Sequence, residues 1–172
     1  MPARPFTIAA RILHAGRYGP DAEDFRLYPL FIGYSSLVRG YDRNSFNASE
    51  CVNADSLHPC PVFDQLWGSR MLVGNIELRF PPFGLLGLGN SYYGILPVEA
   101  AIFYDAGVAW TATEGAQLFG ASGPFARKLV RSTGVSLRMN LLGYAIGQMD
   151  IVRPFDRPQK NWIVRVSLSE GF

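Results

Sequence analysis

The sequence predicts an all-β fold of about six antiparallel strands that cross a membrane and follow one another along the chain. Three observations support this prediction. Six segments alternate between apolar residues and small or polar residues with the period of a β-strand. Aromatic residues gather near the ends of these segments. No segment shows the longer apolar period of an amphipathic helix.

The alternation is clearest at the end of the chain, in WIVRVSLSEGF. One row of this segment is apolar apart from Glu170, and the other is small or polar apart from Ile163. The apolar row comprises Trp162, Val164, Val166, Leu168 and Phe172. From the N-terminus, strands are predicted at about 6–18 (FTIAARILHAGRY), 69–80 (around MLVGNIELRF), 98–111 (around AAIFYDAGVAW), 130–141 (around TGVSLRMNL), 144–154 (around YAIGQMDIV, the weakest pattern) and 162–172.

The aromatic residues distinguish a membrane barrel from a soluble sandwich, which also alternates. The aromatic residues at one end of the predicted strands are Tyr18, Trp67, Trp110, Phe155 and Trp162. Those at the other end are Phe6, Phe80, Phe83, Tyr92, Tyr93 and Phe172. Two aromatic girdles around apolar strand centres are typical of outer-membrane β-barrels. A strand from Trp162 to Phe172 rises ~3.3 Å per residue, and with a tilt of about 40° it spans roughly the 25 Å of the apolar band. Residues such as Ile76, Leu78, Val164 and Val166 should then face lipid.

The connections between the strands and the amino-acid composition further restrict the class of protein. The long connection 19–68 and the connection 112–129 are expected on the outer side, with the short turn at 141–143 on the periplasmic side. A net charge of +2 gives no reason to expect a nucleic-acid partner. No apolar run is long enough for a membrane helix. The N-terminal residues do not form a signal peptide, because Arg11 interrupts their apolar part, so the export signal is expected on sequence outside this chain.

Several motifs, in order, resemble one family. VRGY in the long connection is followed by GNIELRFP, IFYDAGVAW, STGVSLRMNLLGY, DIVRPF and a terminal Phe172. Together they resemble the barrel end of BamA/TamA-type outer-membrane assembly factors, the bacterial surface antigen superfamily, which is related to two-partner secretion transporters. The resemblance implies a sixteen-stranded barrel preceded by periplasmic POTRA repeats, with the VRGY connection folded into the lumen. Residues 1–172 would then be the C-terminal third of a barrel in the bacterial outer membrane. Their partners would be outer-membrane lipid, the missing N-terminal part of the barrel and client proteins.

The resemblance also implies a site. The matching motif is Val38, Arg39, Gly40 and Tyr41, and the family's loop arginine contacts acidic residues of the lumen wall. The matching positions are Glu77 and Asp105, which fall on the polar rows of their predicted strands. A guanidinium can fork to two carboxylates, which a lysine cannot do with the same planar geometry. The alternative is a solvated Arg39 beside an aqueous lumen, as expected for Arg43.

The two cysteines lie in the same long connection. An oxidising compartment favours a disulfide between Cys51 and Cys60, with two reduced cysteines as the alternative. A metal site is disfavoured because only His58 stands nearby. Neither a nucleophile elbow nor a nucleotide loop is present, so no catalytic residue, enzyme activity or cofactor is predicted.

Three functions remain open. The first is insertion or translocation of proteins at the outer membrane, in which the terminal strand would form one side of a weak seam. The second is a passive outer-membrane anchor or pore for a missing N-terminal domain. The third is a soluble β-sandwich binding module. The terminal strand also resembles the signal by which the assembly machinery recognises its clients.

Overall fold

The computed structural model describes residues 5–52, 58–88, 93, 96–118, 127–141, 144–159 and 161–170, with the backbone alone at 169–170. The strands in chain order are β1 (Thr7–Gly16), β2 (Leu30–Phe31), β3 (Trp67–Gly68), β4 (Arg70–Phe80), β5 (Val98–Trp110), β6 (Val130–Leu141), β7 (Ala145–Pro154) and β8 (Ile163–Glu170). Two single-turn helices are α1 (Pro61–Asp64) and α2 (Pro82–Leu85). Among the described residues, these helices are too short and too weakly apolar to cross a bilayer.

Six strands form one antiparallel sheet in the order β1-β4-β5-β6-β7-β8. Apart from the small β2-β3 pair, this is the order of the chain, so each long strand pairs with the next one. The sheet is not closed, because β1 and β8 each have a single neighbour in the described structure. The predicted all-β fold, a partial barrel of six antiparallel strands, is confirmed.

The predicted strand limits lie within two residues of the observed ones where the ends are described, and two kinds of short element were not predicted. The first is the β2-β3 pair, which lies inside the long connection between β1 and β4. The chain also contains helical turns, since α1 and α2 each begin with a proline that is already set for the first helical position. These elements are too short for a period to develop in the sequence.

The two faces of the sheet differ in what covers them. One face, which we call the outer face, exposes the apolar rows, with Ile76 49% and Val166 72% exposed. The side chains predicted to face lipid therefore do not fill a core, and this excludes the alternative of a soluble β-sandwich fold. The opposite, inner face packs against the described residues of the long connection between β1 and β4.

The core lies between this connection and the inner face. Its central side chains come from both parts, with Ile32, Val38 and Leu66 of the connection fully buried against residues such as Val73 and Val130 of the sheet. Full burial of an aliphatic side chain stabilises a fold by about 1.5 to 3 kcal/mol. The connection is thus a packed part of the fold.

Candidate functional site

The VRGY motif forms a turn whose backbone fits closely against the inner face. Gly40 has a φ of +84°, and a Cβ there would also lie 2.8 Å from Val152 Cγ1 on β7. Both the left-handed backbone and the close approach require glycine. Val38 is fully buried, and a Cβ on Gly107 of β5 would lie 2.6 Å from its Cγ2. Small residues on the wall and in the turn therefore bring Arg39 to the sheet.

Arg39 binds two carboxylates on adjacent strands. Its Nε and Nη2 donate to Oδ2 and Oδ1 of Asp105 at 2.7 and 2.8 Å, and its backbone N–H donates to Oδ2 at 3.2 Å. Nη2 also lies 2.9 Å from Oε1 of Glu77. Asp105 is 0% exposed and Arg39 5% exposed. The contacts implied for Arg39, Glu77 and Asp105 are thus present, and the alternative of a solvated Arg39 is not what the structure shows.

An aromatic ring supports the guanidinium from below. The Cζ of Arg39 lies 3.5 Å from the centre of the Phe103 ring, which is a cation–π contact. Phe103 pairs across the sheet with Gly134 of β6, and a Cβ on Gly134 would lie 2.8 Å from the ring and 2.0 Å from a carbonyl oxygen of β7. A side chain at 134 would therefore clash with the ring that contacts Arg39 and with the backbone of β7. The inner face of the sheet therefore contacts Arg39 with an aromatic ring as well as with carboxylates.

Each carboxylate has further partners. Asn75, the cross-strand partner of Asp105, donates from Nδ2 to Asp105 Oδ1 at 2.8 Å and to the Leu37 carbonyl oxygen at 2.7 Å. Arg11 of β1 in turn donates from Nε to Asn75 Oδ1 at 2.9 Å. Hydrogen bonds thus join β1, the turn and β5 around one carboxylate.

Glu77 is shared by three arginines. Besides Arg39, it accepts hydrogen bonds from Arg79 Nε at 2.8 Å and from Arg138 Nη1 and Nη2 at 3.1 and 3.0 Å. Glu99 lies 4.0 Å from Arg79 and 3.5 Å from Arg138. Three arginines therefore form ion pairs with the three carboxylates of Glu77, Asp105 and Glu99. Buried charges are tolerated where they are paired and hydrogen-bonded in this way.

A polar cavity of about 360 Å³ opens beside this network. Its lining includes Arg11, Ser36, Arg39, Glu77, Arg138 and Gln148. The carboxylates of Glu77 and Asp105 beside this cavity form ion pairs with arginines, and Asp105 also accepts a hydrogen bond from the Asn75 amide. In the described part of the chain, no group of three or more His, Cys, Asp and Glu side chains could hold a metal ion.

Tyr41 anchors the far side of the turn. Its fully buried hydroxyl donates to the Arg131 carbonyl oxygen at 2.9 Å and accepts from the Asp156 backbone N–H at 3.2 Å. Burial, together with the nearby charge of Asp156, raises the pKa of Tyr41 well above its ordinary value. The hydroxyl therefore stays protonated and keeps donating to β6.

A buried ion pair that sequence analysis missed lies next to the turn. Glu50 is 0% and Arg157 3% exposed, and Arg157 Nε donates to Glu50 Oε2 at 2.9 Å. One half of the pair has a sequence signal, because Asn47 and Glu50 form the reciprocal capping box of a short 3₁₀-helix. The other half has none, since the partners are 107 positions apart.

The remaining predicted residues fall into two groups. Cys51 and Cys60 form a disulfide, with their Cα atoms 4.4 Å apart. On the terminal strand, Val164, Val166 and Leu168 point to the outer face with Trp162 just before them, and each is more than half exposed. Phe172 lies outside the described residues.

An open antiparallel sheet that is apolar outside, with a polar and arginine-rich inner face, defines an outer-membrane β-barrel protein. The chain matches the Omp85 superfamily domain over residues 5–166 and belongs to that superfamily. No curated protein and no solved structure matches it. Omp85 members are bacterial outer-membrane proteins with a general role in protein insertion or translocation, and they are non-enzymatic transporters or assembly factors.

Proposed function

We propose that this chain is part of a BamA/TamA-type outer-membrane barrel that inserts or translocates other proteins. The observation that carries the proposal is the buried set of ion pairs between Arg39 and both Glu77 and Asp105, in a chain that belongs to the Omp85 superfamily. These ion pairs hold the long connection against two adjacent strands. In this role Arg39 fixes the connection inside the barrel, and no covalent chemistry or cofactor is involved.

The partners follow from the two ends of the sheet. In the described structure, β1 and β8 each leave one edge unpaired. Such an edge cannot face lipid, because its backbone groups would lack hydrogen-bond partners there. We propose that further strands of the barrel pair with β1, and that a weak seam, where strands of client proteins can add, lies along β8. The apolar outer face would contact the lipid of the outer membrane.

Reconstitution of the intact protein into lipid vesicles tests this function. The vesicles would receive an unfolded small outer-membrane barrel as the client, and insertion would be measured as the fraction that becomes resistant to protease. We expect the wild-type protein to insert the client faster than empty vesicles do. Arg39→Ala should lose most of this gain, whereas Arg43→Ala, which changes an exposed residue of the same connection, should keep it.

A passive pore or anchor predicts a different result. Vesicles with the wild-type protein would then insert the client no faster than empty vesicles, while an ion current still showed that the barrel had formed. That combination would overturn the proposed insertion role and favour the passive function.

A further inference from the structure

The four consecutive residues from Arg39 to Asp42 contact strands and a connection between β4 and β8. Arg39 binds β4 and β5, as described above. The Gly40 carbonyl oxygen accepts from Arg157 in the connection between β7 and β8 at 2.8 Å. Tyr41 bonds to the first residues of β6 and to the same connection, and Asp42 pairs with Arg165 of β8. The turn therefore reaches the terminal hairpin, β7–β8, as well as the wall strands.

Arg157 is the main link between the hairpin and the turn. A guanidinium has five N–H donors. Besides the bond to Gly40, Nη1 donates to Ser45 Oγ at 2.9 Å, and Nη2 donates to the Ser45 carbonyl oxygen at 2.6 Å and to Glu50 Oε1 at 2.5 Å. Together with the bond from Nε to Glu50, all five donors are used, and all five acceptors belong to the long connection. The guanidinium also lies 4.0 Å from the ring centre of Phe46.

The acceptors are themselves held in place. Glu50 Oε1 accepts from the Asn47 backbone N–H at 3.1 Å, which completes the capping box. The residue after Glu50 is Cys51, whose disulfide with Cys60 joins this segment to the start of α1. The acceptors of Arg157 are thus also held by contacts within the long connection, and a lysine at 157 would supply only three donors without the planar fork.

We infer that Arg157 is a positioning residue that clamps the β7–β8 hairpin to the VRGY turn, so that the long connection and the terminal strand take their positions together. In an inserting barrel, the turn would then fix the position of β8, whose outer edge has no partner strand in the described structure. That consequence for clients rests on the proposed function, whereas the clamp itself does not.

Amide hydrogen exchange of the intact protein in lipid vesicles tests the clamp. Arg157→Gln should raise exchange rates at 155–159 and in β8 by at least about tenfold, because a lost hydrogen bond to a charged group changes an opening equilibrium by about that factor or more. The rates in β4 and β5, which Arg39 holds, should stay unchanged. Arg43→Gln is the matched control and should leave every strand at its wild-type rate.

Two further variants keep the inference falsifiable if Arg157→Gln folds poorly. Arg157→Lys should give an intermediate rise confined to the same segments. Adding Glu50→Gln to Arg157→Gln should raise exchange no further, since the two side chains act as one unit. Wild-type rates in β8 of the Arg157 variants, or an equal rise in all strands, would overturn the clamp. The expected exchange pattern with unchanged client insertion would retain the clamp and contradict its link to the proposed function.

Discussion

Arg39→Ala is expected to destabilise the docked connection by about 3 kcal/mol, near the lower end of the 3 to 5 kcal/mol typical for breaking a buried ion pair. The lower end follows from what each carboxylate keeps. Glu77 retains Arg79 and Arg138, so it remains paired. Asp105 loses both side-chain bonds to Arg39, and among the described residues it keeps the Asn75 amide and the backbone N–H of residue 39. The cost is therefore concentrated on one fully buried carboxylate.

The assay is urea unfolding of the intact protein in detergent micelles, with a double-mutant cycle. Arg43→Ala, at an exposed position of the same connection, should change the free energy of unfolding by no more than about 0.5 kcal/mol. Asp105→Asn removes the charge that Arg39→Ala leaves unpaired. The loss in free energy of unfolding of the double variant should therefore be smaller than the sum of the two single losses by more than about 1 kcal/mol. Additive effects, or a cost of Arg39→Ala equal to that of Arg43→Ala, would refute the reasoning.

Three further predictions concern other parts of the fold. Gly134→Ala should lower the free energy of unfolding by about 1 to 3 kcal/mol, because the new Cβ would lie 2.0 Å from a backbone oxygen. Gly74→Ala is the control and should be neutral or slightly stabilising, because a Cβ there would have no atom within 4 Å. Urea titrations of the two variants measure the difference. Burial disfavours the ionised form of Glu50, but the hydrogen bonds and charge of the Arg157 guanidinium, together with backbone N–H donors, hold its pKa below the ordinary value of 4.5. Its ion pair therefore stabilises the fold fully above pH 4.5 and is lost as the pH falls through the folded-state pKa; acid titration of hydrogen exchange should show a transition that Glu50→Gln lacks. Reduction of the disulfide between Cys51 and Cys60 should lower stability by about 2 to 3 kcal/mol, and the melting temperature should no longer respond to reductant in the Cys51→Ser/Cys60→Ser variant.

The sheet was predictable from the sequence because its signal is local. The two rows of β5 show this well, since exposed Ile102 and Tyr104 alternate with buried Phe103 and Asp105. A period of two needs only a few residues to appear, and it fixes which carboxylates face inward. The strand positions and the inner-facing pair of acids followed from that pattern, and the resemblance supplied the arginine.

The contact of Arg157 with the long connection was not predictable in the same way. Arg157 stands in a short stretch, RPFDRP, that has no period and looks like a solvated turn. Its burial depends on five acceptors, contributed by Gly40, Ser45 and Glu50, that fold into place far from it in sequence. The pairing of β2 with β3 was missed for a related reason, because strands of two residues carry no alternation.

The sequence separation of the turn's contacts has a consequence for the order of folding. Arg39 meets Asp105 across 66 positions, Tyr41 meets Asp156 across 115, and Asp42 meets Arg165 across 123. Contacts between distant residues form late, because the loop that they close costs entropy until the intervening chain is ordered. The β-hairpins between β4 and β8 join neighbours in the chain and can form earlier. Seating of the VRGY turn would therefore be a late event that follows the pairing of these strands, and a chain that stalls before β8 would leave Asp105 on the inner face without the guanidinium of Arg39.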